Sequence, residues 1–303
     1  MLEYFAIAIS LFFAMNIGAS GAAASMGVAY GGAGAIKKAW QALLLCAIGV
    51  YSGGAVLGGG EVVKTISSGI MPQEYITVKV VIIILISATS SLFFANLLGI
   101  PLSTSEVTVG AVVGVGIAYK VLFVNSLLVI ISFWVIVPLV AFVIALVCGK
   151  FLYKLQIRGL LKDHPILTVL LVLAGFFEAF SAGMNNVANA VGPLVGAGMM
   201  DVTTGIVLGG AFVAIGALLL GKRVLETNGK KIVRFQKAEG ILISSTGALL
   251  VGISSVFGLP VPLTQVTSSS IIGMGMAKNG KQIFHKHIVK KLYAFGLYHP
   301  SFR

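Results

Sequence analysis

The sequence predicts an all-α integral membrane protein of two inverted repeats, with broken helices and two re-entrant hairpins. Three observations predict it. Of the 303 residues, 58% are hydrophobic and 10% charged, where a soluble domain carries about 25% charged residues, and the mean hydropathy is +1.04. The basic residues are confined to a few loops, and the second half of the chain repeats motifs of the first in the same order.

The apolar segments run over 4–33, 39–58, 76–98, 101–118, 121–149, 165–198, 203–221, 239–257 and 261–277. Met1–Gly18 has no basic leader and no small-residue cleavage site, so it reads as a mature helix rather than a signal peptide. Two segments are interrupted by glycine and polar residues, at Asn16–Gly21 and at Gly183–Asn186. Two pairs of segments are divided by Gly-x-Pro, at Gly99-Ile100-Pro101 and Gly258-Leu259-Pro260. Glycine and proline stop helices. Arms of about 16–19 residues around such a stop suit a re-entrant hairpin better than two full spans.

The net charge is +12, with 21 basic against 9 acidic residues. That balance alone suggests nucleic acid, but the positions exclude it. Residues 12–36, 81–119, 165–221 and 238–277 hold no Lys or Arg. The basic residues gather at Lys37–Lys38, in 150–162, in 222–237 and in 278–291, as the positive-inside rule places them in cytoplasmic loops. Cys46 and Cys148 each stand in an apolar run and read as core residues, and the four histidines show no metal-ligand spacing. No cofactor and no metal are expected.

Residues 12–34 align with 177–198, 57–66 with 219–228, and 99–116 with 258–275, at offsets of 165, 162 and 159. In the last pair Gly99, Pro101, Val107, Thr108, Gly114 and Gly116 all find identical partners. Three matches in order indicate an internal duplication. The loop charges give the halves opposite orientations: residues 1–150 form the first repeat, 151–164 a cytoplasmic linker, and 165–303 the second. The second half ends polar and basic where the first ends in an apolar span, so it reads as lacking its last span, with an interfacial helix as the alternative. Inverted repeats whose broken helices meet at mid-membrane are a transporter design. A channel would need a continuous polar path. An enzyme would need a nucleophile–base pair, a metal cluster or paired carboxylates, so no enzymatic activity is expected.

NNVANAVGPL (185–194) and GIPLSTSE (99–106) resemble the paired motifs of the inorganic phosphate transporter (PiT) family, a resemblance that spans nearly the whole chain. Where that family carries aspartates, this chain has Gly21 and Asn186. The hairpin histidines are replaced by Glu106 and Gln265. The family aspartates are linked to sodium and phosphate binding. The resemblance therefore implies the sulfate-permease branch, a homodimer and a bacterial inner membrane.

The candidate substrate ligands are Ser20, Ser25, Ser103, Thr104, Ser105, Asn185, Asn186, Asn189, Thr264 and Thr267. They are neutral donors at four converging breaks, each presenting a helix N-terminus suited to an anion. Sulfate has only acceptors at pH 7, whereas monohydrogen phosphate also has a proton to donate. A facing carboxylate would leave sulfate repelled, a penalty of about 1–3 kcal/mol or more. The expected activity is therefore sulfate import by proton symport, with sodium- or proton-coupled phosphate transport as the alternative. Intramembrane acids are functional candidates: Glu106 is the first choice as proton carrier and Glu178 the second. Blander roles also fit. Ser103 and Glu106 have capping-box spacing, Ser25 can bond its own helix, and Glu178 can pair with a polar group in the bundle.

Overall fold

In lipid, every backbone N–H and C=O must be bonded within the protein. The computed structural model meets that demand with helices, and there is no strand among the described residues, which are 1–54, 59–98, 102–161, 163–230 and 235–280. The first half contains α1 (Leu2–Ile17), two π-helical turns (Gly18–Ala22 and Val28–Gly32), α2 (Ala39–Ser52), α3 (Gly60–Ser68), α4 (Val78–Leu98), α5 (Thr104–Tyr119) and α6 (Val124–Ile157). The second contains α7 (Pro165–Gly196), α8 (Val202–Leu220), α9 (Lys222–Lys230), α10 (Lys237–Val256) and α11 (Leu263–Asn279). Among the described residues six stretches are long and apolar enough to cross a membrane: Leu2–Ser25, Val78–Leu97, Val124–Ile157, Pro165–Gly196, Val202–Leu220 and Lys237–Val256.

The duplication is visible in the element starts. α3 and α9 begin at Gly60 and Lys222, α4 and α10 at Val78 and Lys237, and α5 and α11 at Thr104 and Leu263. These pairs keep the offsets of the sequence matches. The hairpin arms are unequal: α4 and α10 have 21 and 20 residues, α5 and α11 have 16 and 17. The expectation of arms of 16–19 residues understates the first arm of each hairpin.

Two further expectations are corrected. The interruption at Gly183–Asn186 is not a break, because α7 runs unbroken for 32 residues. Its glycine is a contact surface: a Cβ on Gly183 would lie 2.1 Å from the Val50 carbonyl oxygen, and one on Gly53 would lie 1.9 Å from that of Phe180. The backbones cross where neither has a side chain. In the first half the interruption at Asn16–Gly21 takes the form of widened π-helical turns, within a run of glycine and alanine. Asn96 Nδ2 donates to the Asn16 carbonyl at the start of that turn, at 3.1 Å. In addition, α6 continues to Ile157, into the segment expected as linker.

The two halves interlock. α6 packs along α11, where a Cβ on Gly273 would meet the Phe142 carbonyl at 2.4 Å. The tip of the second hairpin is non-helical, and other elements satisfy its carbonyls in succession. Thr65 Oγ1 donates to Gly258 O (2.6 Å), Asn185 Nδ2 to Leu259 O (3.0 Å), Trp134 Nε1 to Pro260 O (2.8 Å) and Ser105 Oγ to Val261 O (3.1 Å). Gly258 itself sits at φ +71°, the left-handed region that glycine adopts freely. The matching tip at Gly99–Pro101 and the tail 281–303, with the question of a last span, lie outside the described residues.

Three acidic residues outside the site illustrate structural partnerships. Asp201 caps α8 through Thr204, whose hydroxyl and N–H hold its carboxyl below the usual range. Glu61 and Lys64 pair on the surface. Glu239 is fully buried; it accepts from the Gln236 N–H at 2.9 Å and pairs with Lys278 Nζ at 3.3 Å, closing the mouth of the second hairpin. Removing the cation strands a buried charge. Lys278→Met is therefore expected to cost roughly 1–2 kcal/mol, discounted for the partly exposed lysine, and to lower the unfolding temperature by a few degrees in detergent scanning fluorimetry. An unchanged unfolding temperature would mean that the pair contributes nothing.

Candidate functional site

The polar side chains of α7 and the start of α5 converge. Ser103 is the N-cap of α5 and accepts from the Glu106 N–H at 3.4 Å. The next two residues face α7. Thr104 Oγ1 donates to Asn186 Oδ1 (3.1 Å), and Ser105 Oγ donates to Asn185 Oδ1 (3.2 Å) as an alternative to Val261 O. Asn189 Nδ2 donates to both hydroxyls, at 3.4 Å to Thr104 and 3.2 Å to Ser105. All five are buried. Their spacing explains the convergence: Asn185, Asn186 and Asn189 lie three and four residues apart, on one face of α7.

Gly21 completes the group. A Cβ there would stand 3.0 Å from Asn186 Nδ2 and 3.8 Å from Thr104 Cγ2. The positions where the resembling family carries aspartates therefore face each other, and neither holds a charge. No Lys or Arg occurs in 12–36, 81–119 or 165–221. The cluster is neutral and rich in donors.

Donor accounting separates the asparagines. Asn185 Nδ2 is spent on Ser255 Oγ and Leu259 O, both at 3.0 Å, and its Oδ1 takes Ser105. It positions the hairpin tip. Among the described residues Asn186 Nδ2 is buried without a partner, and so is Asn189 Oδ1. A buried amide donor left unpaired costs free energy, and an anion would satisfy it. The N-terminus of α5 adds free N–H groups beside it.

The other expected ligands lie apart from this network. Ser20 Oγ donates to Ile17 O and Ser25 Oγ to Ala22 O, each within its own helical segment. Thr264 is half-buried in the first turn of α11. Thr267 Oγ1 donates to Glu178 Oε1 at 2.6 Å. Instead of four helix N-termini, two are present, those of α5 and α11, because α7 is continuous and the Gly18–Ala22 turn continues α1. The two acids have separate settings. Glu106 Oε1 accepts from Gln265 Nε2, so the residues that replace the two family histidines bond each other across the hairpins. Glu178 is fully buried between α7, α10 and α11.

The cluster is asymmetric with respect to the repeat. At the self-alignment offsets, Thr104 corresponds to Leu263, Asn186 to Gly21 and Asn189 to Ala24. The polar set is built from the first hairpin and the second-half helix, while at the counterpart positions only Thr264 (for Ser105) and Ser20 (for Asn185) are polar. Sequence reasoning missed Ser255 and Trp134. Ser255 is the repeat partner of Asn96, another polar residue, and that was the available signal.

Comparison with known proteins agrees with this architecture. The family model of the PHO4 phosphate transporter family matches residues 17–168 and 159–296. The chain is 67% identical over 301 residues to "Sulfate permease CysP" of Bacillus subtilis (strain 168), covering 99% of this chain and 84% of that protein. It is similar to a solved structure described as "The sodium-dependent phosphate transporter", with a TM-score of 0.83 and 23% identity, over 98% of this chain and 94% of that one. That likeness bears on the fold. The chain is a multi-pass integral membrane protein of a bacterial cell membrane and a transporter rather than an enzyme. It belongs to the phosphate transporter family.

Proposed function

We propose that this protein is a secondary active transporter that imports sulfate by proton symport. The observation that carries the reading is the neutral buried cluster of Thr104, Ser105, Asn186 and Asn189, which offers an unpartnered amide donor and no acidic or basic side chain. Sulfate needs donors alone. Phosphate would need an acceptor for its proton, best a carboxylate, and the two motif positions that could supply one hold Gly21 and Asn186. The sulfate permease at 67% identity supports the same reading. Glu106 and Glu178 are the candidate proton carriers. The opposed orientation of the two halves, alternating access between them and a homodimer belong to the same proposal.

The second reading, phosphate transport, draws on the name of the family and on that of the similar solved structure. The two readings separate in proteoliposomes holding the full chain. Radiolabelled sulfate is expected to accumulate with an inside-alkaline pH gradient and no sodium, and with sulfate at its KM an excess of phosphate of about tenfold is expected to inhibit by no more than about half. A discrimination of about 1–3 kcal/mol is roughly 5- to 150-fold in affinity. Sodium-dependent uptake blocked by phosphate would overturn the proposal.

A further inference from the structure

We propose that Glu178 is the proton-carrying residue of the coupling, in a site separate from the anion cluster, with Thr267 and Gly247 as its positioning residues. This rests on the symport reading above and assigns its chemistry to one carboxyl group.

The geometry is specific. Glu178 is 0% exposed. Oε1 accepts from Thr267 Oγ1 of α11 at 2.6 Å. Among the described residues Oε2 has no hydrogen-bond partner, and neither does the buried Ser244 Oγ of α10, which approaches the carboxylate short of bonding geometry. Room for the group depends on Gly247, where a Cβ would lie 2.8 Å from Oε1. The titratable group that faces it from α2 is Cys46, whose Sγ is engaged with Ala22 O at 3.0 Å. Further along α10 and α11, Glu239 and Lys278 are paired with each other. No cation pairs with Glu178 among the described residues, so the carboxyl exchanges charge with a proton rather than with a fixed partner.

The repeat shows that the acid is not needed for packing. At the self-alignment offsets Glu178 corresponds to Phe13, and Ser244, Gly247 and Thr267 correspond to Leu85, Ala88 and Thr108. The matching helix crossing in the first half therefore packs without an acid. Phe13, Leu85 and Ala88 are buried there, and Thr108 Oγ1 has no partner.

Coupling follows from placement. Glu178 and Asn185 are seven residues apart on α7, two turns or about 10 Å along one rigid helix. A charged Glu178 repels a dianion held at Asn186 through a dry interior, and a protonated one does not. By linkage, the anion raises the proton affinity of Glu178 as much as the proton raises the anion affinity. When the anion binds, a hydronium ion of the outside medium gives its proton to the carboxylate, its O–H bond breaking to leave water as the carboxyl O–H bond forms. The carboxyl O–H bond breaks to cytoplasmic water when the anion leaves, and one carboxylate returns. Thr267, two residues from Gln265 at the start of α11, makes that hairpin arm sensitive to the change. Glu106, bonded to Gln265, closes the two hairpins against each other.

The test uses the full-length protein in proteoliposomes. Glu178→Gln is expected to reduce gradient-driven sulfate accumulation at least tenfold while keeping more than about a third of wild-type sulfate–sulfate exchange at symmetric pH. Thr267→Val, which removes a donor to the anionic carboxylate, is expected to move the pH dependence of uptake alkaline by several tenths of a pH unit or more. It decides the matter should Glu178→Gln not insert. Glu178→Gln that still accumulates sulfate with the gradient overturns the proposal. So does a monodisperse Glu178→Gln that loses exchange together with accumulation, or a Thr267→Val profile identical to wild type. Wild-type flux of phosphate in place of sulfate overturns the sulfate reading alone, and the same assays run on phosphate then decide Glu178.

Discussion

Asn186→Asp is expected to lower sulfate uptake at neutral pH by at least tenfold, mainly through a raised KM, while the protein still elutes as a single species in detergent. The folded chain has a place for the carboxylate: Thr104 Oγ1 already donates to Oδ1 of Asn186, and an aspartate accepts the same bond. What changes is the other atom. Nδ2, a buried donor without a partner, becomes an anionic oxygen beside Gly21. A unit charge about 4 Å from another is worth about 4 kcal/mol at an effective dielectric near 20, and sulfate carries two charges. Tenfold, about 1.4 kcal/mol, is a conservative floor. Uptake by the variant is expected to recover in part as the pH falls and the new carboxyl takes up a proton. Wild-type KM in Asn186→Asp would remove Asn186 from the anion site.

Gly183→Val is expected to abolish recovery of monodisperse protein. The argument is steric and independent of function. Gly183 and Gly53 place two backbones in contact, with the first Cβ atom only 2.1 Å from a carbonyl oxygen. A backbone atom cannot rotate away, so α7 would have to separate from the C-terminal end of α2. Overpacking in tolerant cores costs about 1–3 kcal/mol; here a larger penalty is expected, because the same helix carries Asn185, which holds the hairpin tip. The control is Gly114→Ala on α5, where a Cβ would meet nothing within 4 Å. That variant is expected to be neutral or stabilised by up to about 1 kcal/mol through helix propensity. Fluorescence-detected size-exclusion chromatography separates the outcomes, and a well-behaved Gly183→Val would contradict the described crossing.

That pair of variants also marks the limit of sequence reading. Gly114 and Gly273 are matched glycines of the repeat, indistinguishable by alignment. In the structure Gly273 presses on the Phe142 carbonyl and Gly114 faces open space. Gly183–Asn186 likewise has the composition of a helix break, yet Asn185 and the Oδ1 of Asn186 find partners from other elements and α7 stays whole. Among the expected ligands, Ser20 and Ser25 bond within their own helical segments, whereas Asn186 and Asn189 bond across to α5. Bonding of that kind depends on residues far away along the chain.

The membrane location, the repeat with its offsets, the two hairpins and the absence of basic residues from the spans were all legible from the amino acids alone. They follow from local hydropathy, local breakers and charge placement, which the bilayer reads segment by segment. Folding in three dimensions was needed to make the polar cluster one-sided and to set Gly21 against Asn186 and Glu106 against Gln265. It also buried Glu178 against Thr267 and Gly247 and closed the hairpin tip with Thr65, Asn185, Trp134 and Ser105. These are contacts between distant elements. In lipid such contacts are favoured because a buried polar group without a partner costs free energy, a condition that spacing along the chain does not express.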